Sequence, residues 1–390
     1  MFKLLQGTLS SYTGIVAEPE YGREAFHPIT DFVKDKQPLR EATSKDFEWL
    51  QPASTNVETQ TFYFTCEKSG YVGFFQVIHS VVVGNVYTTA QFTFRIFNRF
   101  NKDETVWTST HLEDFVIKGN NFYAQNFAIE LSEDGNTYTF KSAVNPESIV
   151  DVTITKEAPA VIIGENGTSY YGTDIKNPWG SMRHAFWPRN NVKGTIKLGE
   201  KEIDIDGKSM YVMALQGMKP HHAASTWNFL NYQGPHYSAV QMEFTTPNSY
   251  AKTKVNVGIL VKDDKILAAT VDNNAVHKDT EKDKDVGWPV PKEIDFDFNG
   301  YTAESTDEEI QNKTAKVVKA NLKGKLETLV LRIDVMGEIP GFVKSLAGVV
   351  AGTKPYIYQW INPYSFEIDY NGEVSKEEGL CWNEATFISE

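Results

Sequence analysis

The densest grouping of chemically capable side chains is the stretch NPWGSMRHAFWPRN, residues 177–190. Trp179, Arg183, His184, Trp187 and Arg189 combine aromatic planes with hydrogen-bond donors there. Side chains alternate between the two faces of an extended chain. A strand here therefore puts Met182, His184 and Phe186 on one face and Arg183, Ala185 and Trp187 on the other. Each face pairs an apolar body with one polar group. That suits either a ligand cavity with a few orienting groups or a seam between domains with its polar contacts satisfied. Arginine stacked on tryptophan, a common structural device, favours the seam. Trp179, Arg183, His184 and Trp187 are the candidate ligand-binding residues.

Other chemistry finds less support. His221 and His222 are adjacent, so on a strand they point to opposite faces and cannot share a metal ion; they read as exposed loop histidines. The sequence has no GxSxG, no Gly-rich phosphate loop and no HExxH. Carboxylates are numerous but fall mostly in loops, where spacing does not define a catalytic pair. Cys66 and Cys381 lie far apart and outside any metal-spaced cluster, so neither a disulfide framework nor a zinc site is expected, and a reducing cytosol fits best. The residues call for no catalytic group, no metal and no cofactor. A net charge of −13 argues against a nucleic-acid partner and against general adhesion to acidic membranes.

The elements that must position these residues are strands. From about residue 57, segments such as VETQTFYFTC, YVGFFQVIHSVVV, TTAQFTFRIF and VDVTITK alternate or run apolar, are rich in Val, Thr, Phe and Tyr, and are separated by Gly, Asn and Asp turns. Asp134, Gly135 and Asn136 read as a hairpin turn. A second set begins near residue 209, from SMYVMALQG to PYIYQWINPYSFEIDY, with the same grammar. The expected fold is all-β: two consecutive antiparallel barrels, residues 51–208 and 209–390, because meanders of this strand number escape their edge problem by closing. Two charged segments, Asp272 to Asp285 and Glu304 to Lys316, suit exposed loops. PGFVKSLAGVVAGTKP near the end predicts a short helix, with Phe342, Leu346, Val349 and Val350 on one face. Residues 17–50, polar and punctuated by Pro19, Pro28 and Pro38, read as a strap.

Ahead of the strap, residues 1–16 read as an amphipathic helix. Phe2, Leu5, Leu9, Tyr12 and Val16 fall on one stripe, opposite Lys3 and the small residues Gly7, Ser10, Ser11 and Gly14. The apolar residues are periodic rather than continuous and no small-residue cleavage site follows, so the pattern is not that of a secretory signal; its length excludes a spanning helix. Such a helix either sinks its stripe into packing defects of a lipid surface or docks on the folded chain.

MFKLLQGTLSSYTGIVAEPEYG, NVETQTFYF, AQFTFRIF, YYGTDIKNPWGSMRHAFWPRN and KPYIYQW together resemble the fungal survival factor 1 family over nearly the full chain, and the PWGSMRHAFWPRN block is long and specific. The resemblance implies two lipocalin-like barrel domains behind an amphipathic membrane-binding helix, with Met1 as an N-acetylation site. It also implies non-vesicular carriage of ceramide between endoplasmic reticulum and Golgi, with a role in sphingolipid homeostasis and survival under oxidative stress. The location implied is cytoplasmic and peripheral on those two membranes, with the nucleus as an alternative. On this expectation the barrel interiors hold the lipid, the Arg183, His184 and Trp187 region supplies polar contacts, and the protein is not an enzyme. Two alternatives stay open: an enzyme acting on an apolar polyene-like substrate, as in lipocalin-fold hydratases and cyclases, and a stress-response scaffold without ligand. Oligomeric state is not legible.

Overall fold

The computed structural model describes residues 20–82, 87–218, 220–338 and 353–389. Two large antiparallel sheets carry them. Along its hydrogen-bonded path the first runs Thr105–His111, Tyr87–Asn98, Tyr71–Val82, Asn56–Thr65, Lys201–Gln216, Gly180–Leu198, Ile149–Lys156, Thr137–Ser142, Phe127–Leu131, Asn121–Ala124 and Val116–Lys118. The second runs Lys265–Thr270, Lys254–Lys262, Tyr237–Thr245, Thr226–Gln233, Glu373–Phe387, Tyr356–Tyr370, Val317–Lys325, Glu293–Tyr301 and Asn274–Lys278, with Leu329–Asp334 on the flank of Tyr356–Tyr370. Consecutive strands are neighbours through most of each path, as the meander grammar requires. The Asp134–Gly135–Asn136 turn joins its two strands with Gly135 at φ +69°, the left-handed conformation glycine tolerates.

The change of sheet falls later than residue 209. Strand Lys201–Gln216 pairs with Asn56–Thr65 on one side and Gly180–Leu198 on the other, so it lies inside the first sheet; the second begins at Thr226. Among the described residues neither path closes through the backbone. In the first sheet, the end strands Thr105–His111 and Val116–Lys118 each pair with one neighbour. The sheet nevertheless curls strongly: the rings of Phe92 and Phe127 are 5.6 Å apart with six strands between them on the path, and the Thr108 and Ser148 hydroxyls meet at 2.8 Å. Closure comes from packing rather than from a continuous ladder. The expected closed barrels are thus curled half-barrel sheets. Gly194 permits one bend, since at φ +142° a Cβ there would lie 2.2 Å from the Asp151 carbonyl oxygen.

The central strands have no solvent side. In Asn56–Thr65, Phe62 and Phe64 enter the concave face of the first sheet while Tyr63 between them packs on Phe229 and Trp382 of the second. Strands buried on both faces read as continuous apolar runs, which explains why TFYF and GFFQV do not alternate. The concave face of the first sheet is filled by aromatic rings: Tyr211 stacks on Phe62 at 4.3 Å, and Phe75 meets Phe140 at 4.6 Å. Leu230, Phe296, Leu322, Tyr364 and Phe366 fill the second. A third apolar cluster lies between the sheets and draws on both, with Phe74, Met182 and Met210 from one and Phe229, Met242 and Trp382 from the other.

Polar pins fix that seam. Strand Gly180–Leu198 bulges between Trp187 and Asn190, where Pro188 has no N–H to offer the ladder. The bulge sends Arg189, 1% exposed, into the turn at 234–238. Its guanidinium donates to the carbonyls of Gly234, Pro235 and Tyr237 and to Ser238 Oγ, and it pairs with Glu157 at 3.3 Å. On the other side, Gln37 of the strap donates to Asp307 and to the Thr302 and Ser305 carbonyls. The strap also adds two short strands to the first sheet and buries Phe47 and Trp49 in its core.

The charged segments are more ordered than loops. Asp272–Asp285 contains strands Asn274–Lys278 and Glu281–Lys282, and Glu304–Lys316 contains the helical turn Asp307–Gln311, capped by Thr306 and Glu309. His222 sits in a helical turn, Pro220–Ala223, not on a strand. The amphipathic segment 1–16, with Met1, Phe2, Leu5, Leu9, Tyr12 and Val16, lies outside the described residues. So does the apolar face of the 340–355 segment.

Candidate ligand cavity

A cavity of about 450 Å³ lies between the two sheets. It is built from their outer faces, not from the inside of either curl. Alternation decides this: Val57, Thr59, Thr61 and Tyr63 line it, while the intervening Glu58, Gln60 and Phe62 point into the first sheet's own interior. Register extends the wall, aligning Thr61 with Gln76, Gln76 with Thr93, and Thr93 with Ser109 as one cross-strand row of hydroxyls and amides. Facing it, the second sheet presents Phe229, Glu384 and Gln359 as one row and Trp227, Thr386 and Ile357 as the next. Ile78, Met182, Val212, Met242, Ile333 and Ile388 complete an apolar lining.

The four candidate residues separate. His184 lines the cavity, as does Met182 on the same face of the strand. Arg183 and Trp187 point the other way, as alternation requires. Arg183 donates to the carbonyls of Asn166 and Asp46, and Trp187 is packed among Phe47, Tyr138 and Tyr211 in the first sheet's core. The cation over the Trp187 ring is Lys156, not an arginine. Trp179 is 46% exposed, against Tyr21 and with its Nε1 donating to the Tyr250 hydroxyl. The seam reading and the cavity reading of this block therefore converge on His184, because the cavity lies in the seam.

Besides Tyr63, the lining carries two titratable side chains, His184 and Glu384, both shifted by burial toward their neutral forms. Burial, aided by the neighbouring Arg183, pushes His184 down to about 3, so its imidazole is neutral at ordinary pH, and its Nε2 finds no protein partner. Glu384 accepts hydrogen bonds from Gln359 Nε2 at 2.7 Å and Thr386 Oγ1 at 2.9 Å, and burial raises its pKa above the usual carboxylate value. Tyr63 is raised by burial and by the Glu384 charge. Among the described residues the lining contains no Lys or Arg. No group of three or more His, Cys, Asp or Glu is placed to hold a metal among them. Gln359 and Glu384 are missing from the sequence-derived candidates; the available signal was a single carboxylate inside the mostly apolar strand segment LCWNEATF.

The model of the Svf1 family matches residues 2–389. The chain belongs to the Svf1 family. Svf1 relatives are similar along their whole length. The Debaryomyces hansenii protein named ceramide-binding protein SVF1 is 58% identical over 392 residues, with all of both chains covered. The Kluyveromyces lactis protein of the same name is 52% identical, covering all of this chain and 97% of the other. The corresponding Aspergillus fumigatus protein is 44% identical, covering 99% of each. Among solved structures, kievitone hydratase from Nectria haematococca superposes with a TM-score of 0.53 at 15% identity, covering 95% of this chain and 97% of that one. CghA with Sch210972 gives 0.55 at 11%, covering 90% and 98%. At such identities the likeness is one of lipocalin-like fold.

Proposed function

We propose that this Svf1-family chain is a non-enzymatic ceramide carrier that shelters its cargo in the cavity between the two sheets. The observation that carries the reading is the chemistry of that cavity: apolar walls, a band of uncharged hydroxyls and amides, a neutral histidine and no Lys or Arg among the described lining residues, in a chain whose relatives at 44–58% identity are named ceramide-binding proteins. A lipid leaving a bilayer for water loses about 0.8 kcal/mol per exposed methylene, and an apolar chamber removes that barrier. At about 30 Å³ per water-sized group, 450 Å³ holds on the order of fifteen such groups. That is one chain or a headgroup with its first methylenes; the remainder of a two-chain lipid requires the sheets to part or the chains to extend beyond the lining described.

The finer reading has the protein moving ceramide between endoplasmic reticulum and Golgi, cytoplasmic and peripheral on those membranes. Segment 1–16 supplies a reversible grip, and Met1 acetylation spares the desolvation of a terminal charge. Sphingolipid homeostasis and survival under oxidative stress follow from keeping free ceramide low.

Mass spectrometry of lipids co-purifying with the protein tests this. Intact ceramide is expected with the unmodified chain and not with Ala214→Phe, whose ring would occupy the cavity beside His184 and Thr59. The variant should keep its circular dichroism and Tm, since it fills space rather than removing a contact. Absence of lipid from both, or undiminished loading of the variant, would refute the proposal. Covalently altered lipid would favour the enzyme reading instead.

A further inference from the structure

The two walls of the cavity are not equivalent in hydrogen-bonding sense. On the second sheet, Gln359 is 5% exposed; its Nε2 is committed to Glu384, and its Oε1 has no protein partner. Thr386 likewise spends its hydroxyl proton on Glu384. The protein's own donors are thus used to hold the carboxyl: each oxygen of the cavity-lining Glu384 accepts one hydrogen bond and keeps a lone pair, beside the buried and unpartnered Gln359 Oε1. Register fixes where this happens. Phe229 is the cross-strand partner of Glu384, and its ring lies 5.3 Å from Tyr63, so the pair faces the first sheet at the end of the Thr59–Thr61–Tyr63 wall.

We infer that the Glu384–Gln359 pair is an acceptor site that admits lipids whose headgroup offers several O–H or N–H donors and no negative charge, and rejects phosphate-bearing lipids. The inference rests on the carrier reading above and adds the rule by which the same cavity selects its cargo. An amide N–H and two hydroxyls satisfy unpaired buried acceptors that otherwise go without partners. A phosphate brings only acceptors and negative charge beside a carboxyl; no Lys or Arg is among the described lining residues, and the buried guanidinium on the Tyr63–Phe74–Trp107 row, Arg95, donates to the Val330 carbonyl. Where the buried carboxyl takes up a proton it gains one O–H, which a hydroxyl or amide oxygen can accept.

The test uses the full chain and phosphatidylcholine vesicles doped in turn with ceramide, ceramide 1-phosphate and the 1-O-methyl ether of ceramide. The protein is re-isolated and its lipid quantified by mass spectrometry. Ceramide is expected to load at least about tenfold better than either analogue. Glu384→Gln, similar in size, is expected to lower ceramide loading about tenfold and to narrow the gap to ceramide 1-phosphate. Equal loading of the phosphate or the methyl ether overturns the acceptor site while leaving the carrier reading intact, as does a folded Glu384→Gln protein with unaltered selectivity. Should that variant not fold, the three-lipid comparison on the unmodified chain decides. Failure to load any of the three overturns the carrier reading and this inference together.

Discussion

His184 illustrates how burial turns a titratable side chain into a neutral one. An unfolded histidine titrates near 6.5, whereas burial and Arg183 hold the folded ring down to about 3. Between those values the unfolded chain binds a proton that the folded chain does not, so stability falls as pH falls through that window, by about 1.4 kcal/mol per unit. His277, pushed down to about 4 by burial and by Lys254, acts in the same direction. The expected outcome is a lower urea midpoint at pH 5 than at pH 7, with part of the difference removed by His184→Phe; equilibrium denaturation at the two pH values checks it. Arg189 is instead a buried guanidinium surrounded by acceptors. Arg189→Ala leaves Glu157 without that partner and the 234–238 carbonyls without donors, and should cost about 3–5 kcal/mol in denaturant unfolding. The sequence drew attention to both residues in one block, but composition could not say that one faces the cavity and the other leaves the strand at a bulge.

At the scale of elements, strand Gly180–Leu198 does two jobs. Its alternation divides His184 from Arg183 and Trp187, and its proline bulge aims Arg189 across the seam. The alternation was legible in RHAFW, and Pro188 within a strand was a readable sign of a bulge. The side toward which each face would turn was not, because a period of two is the same whichever sheet lies opposite. Residues 1–16, read from the sequence as an amphipathic helix and outside the described residues, carry a prediction of their own. Leu5→Asp interrupts the Phe2–Leu5–Leu9–Tyr12 stripe with a charge, which should shift the protein from membranes to the soluble fraction at unaltered circular dichroism. Vesicle flotation and cell fractionation measure it, and unaltered partitioning would point instead to a stripe docked on the folded chain.

At the scale of the molecule, the two curled sheets share a core. Phe74, Met182 and Met210 pack in one cluster with Phe229, Met242 and Trp382, and the strap and Arg189 pin the edges of that interface. Separating the sheets would expose this cluster and strand the Arg189 site, so heat or urea should unfold both in one transition, with near-UV and far-UV signals superimposing. Two resolved transitions would contradict a common core. What the sequence by itself determined is the strand content, the hairpin turn at Gly135, the doubling of the meander and the family. Each is written in local periodicity, turn chemistry or a long specific motif. Which strand belongs to which sheet, that each sheet curls without a closing ladder among the described residues, and that the 450 Å³ cavity is built from the outer faces of the two sheets were decided by the tertiary structure. Strands buried on both faces read alike from either side. A cavity is set by how two surfaces of different curvature meet, which no run of neighbouring residues encodes.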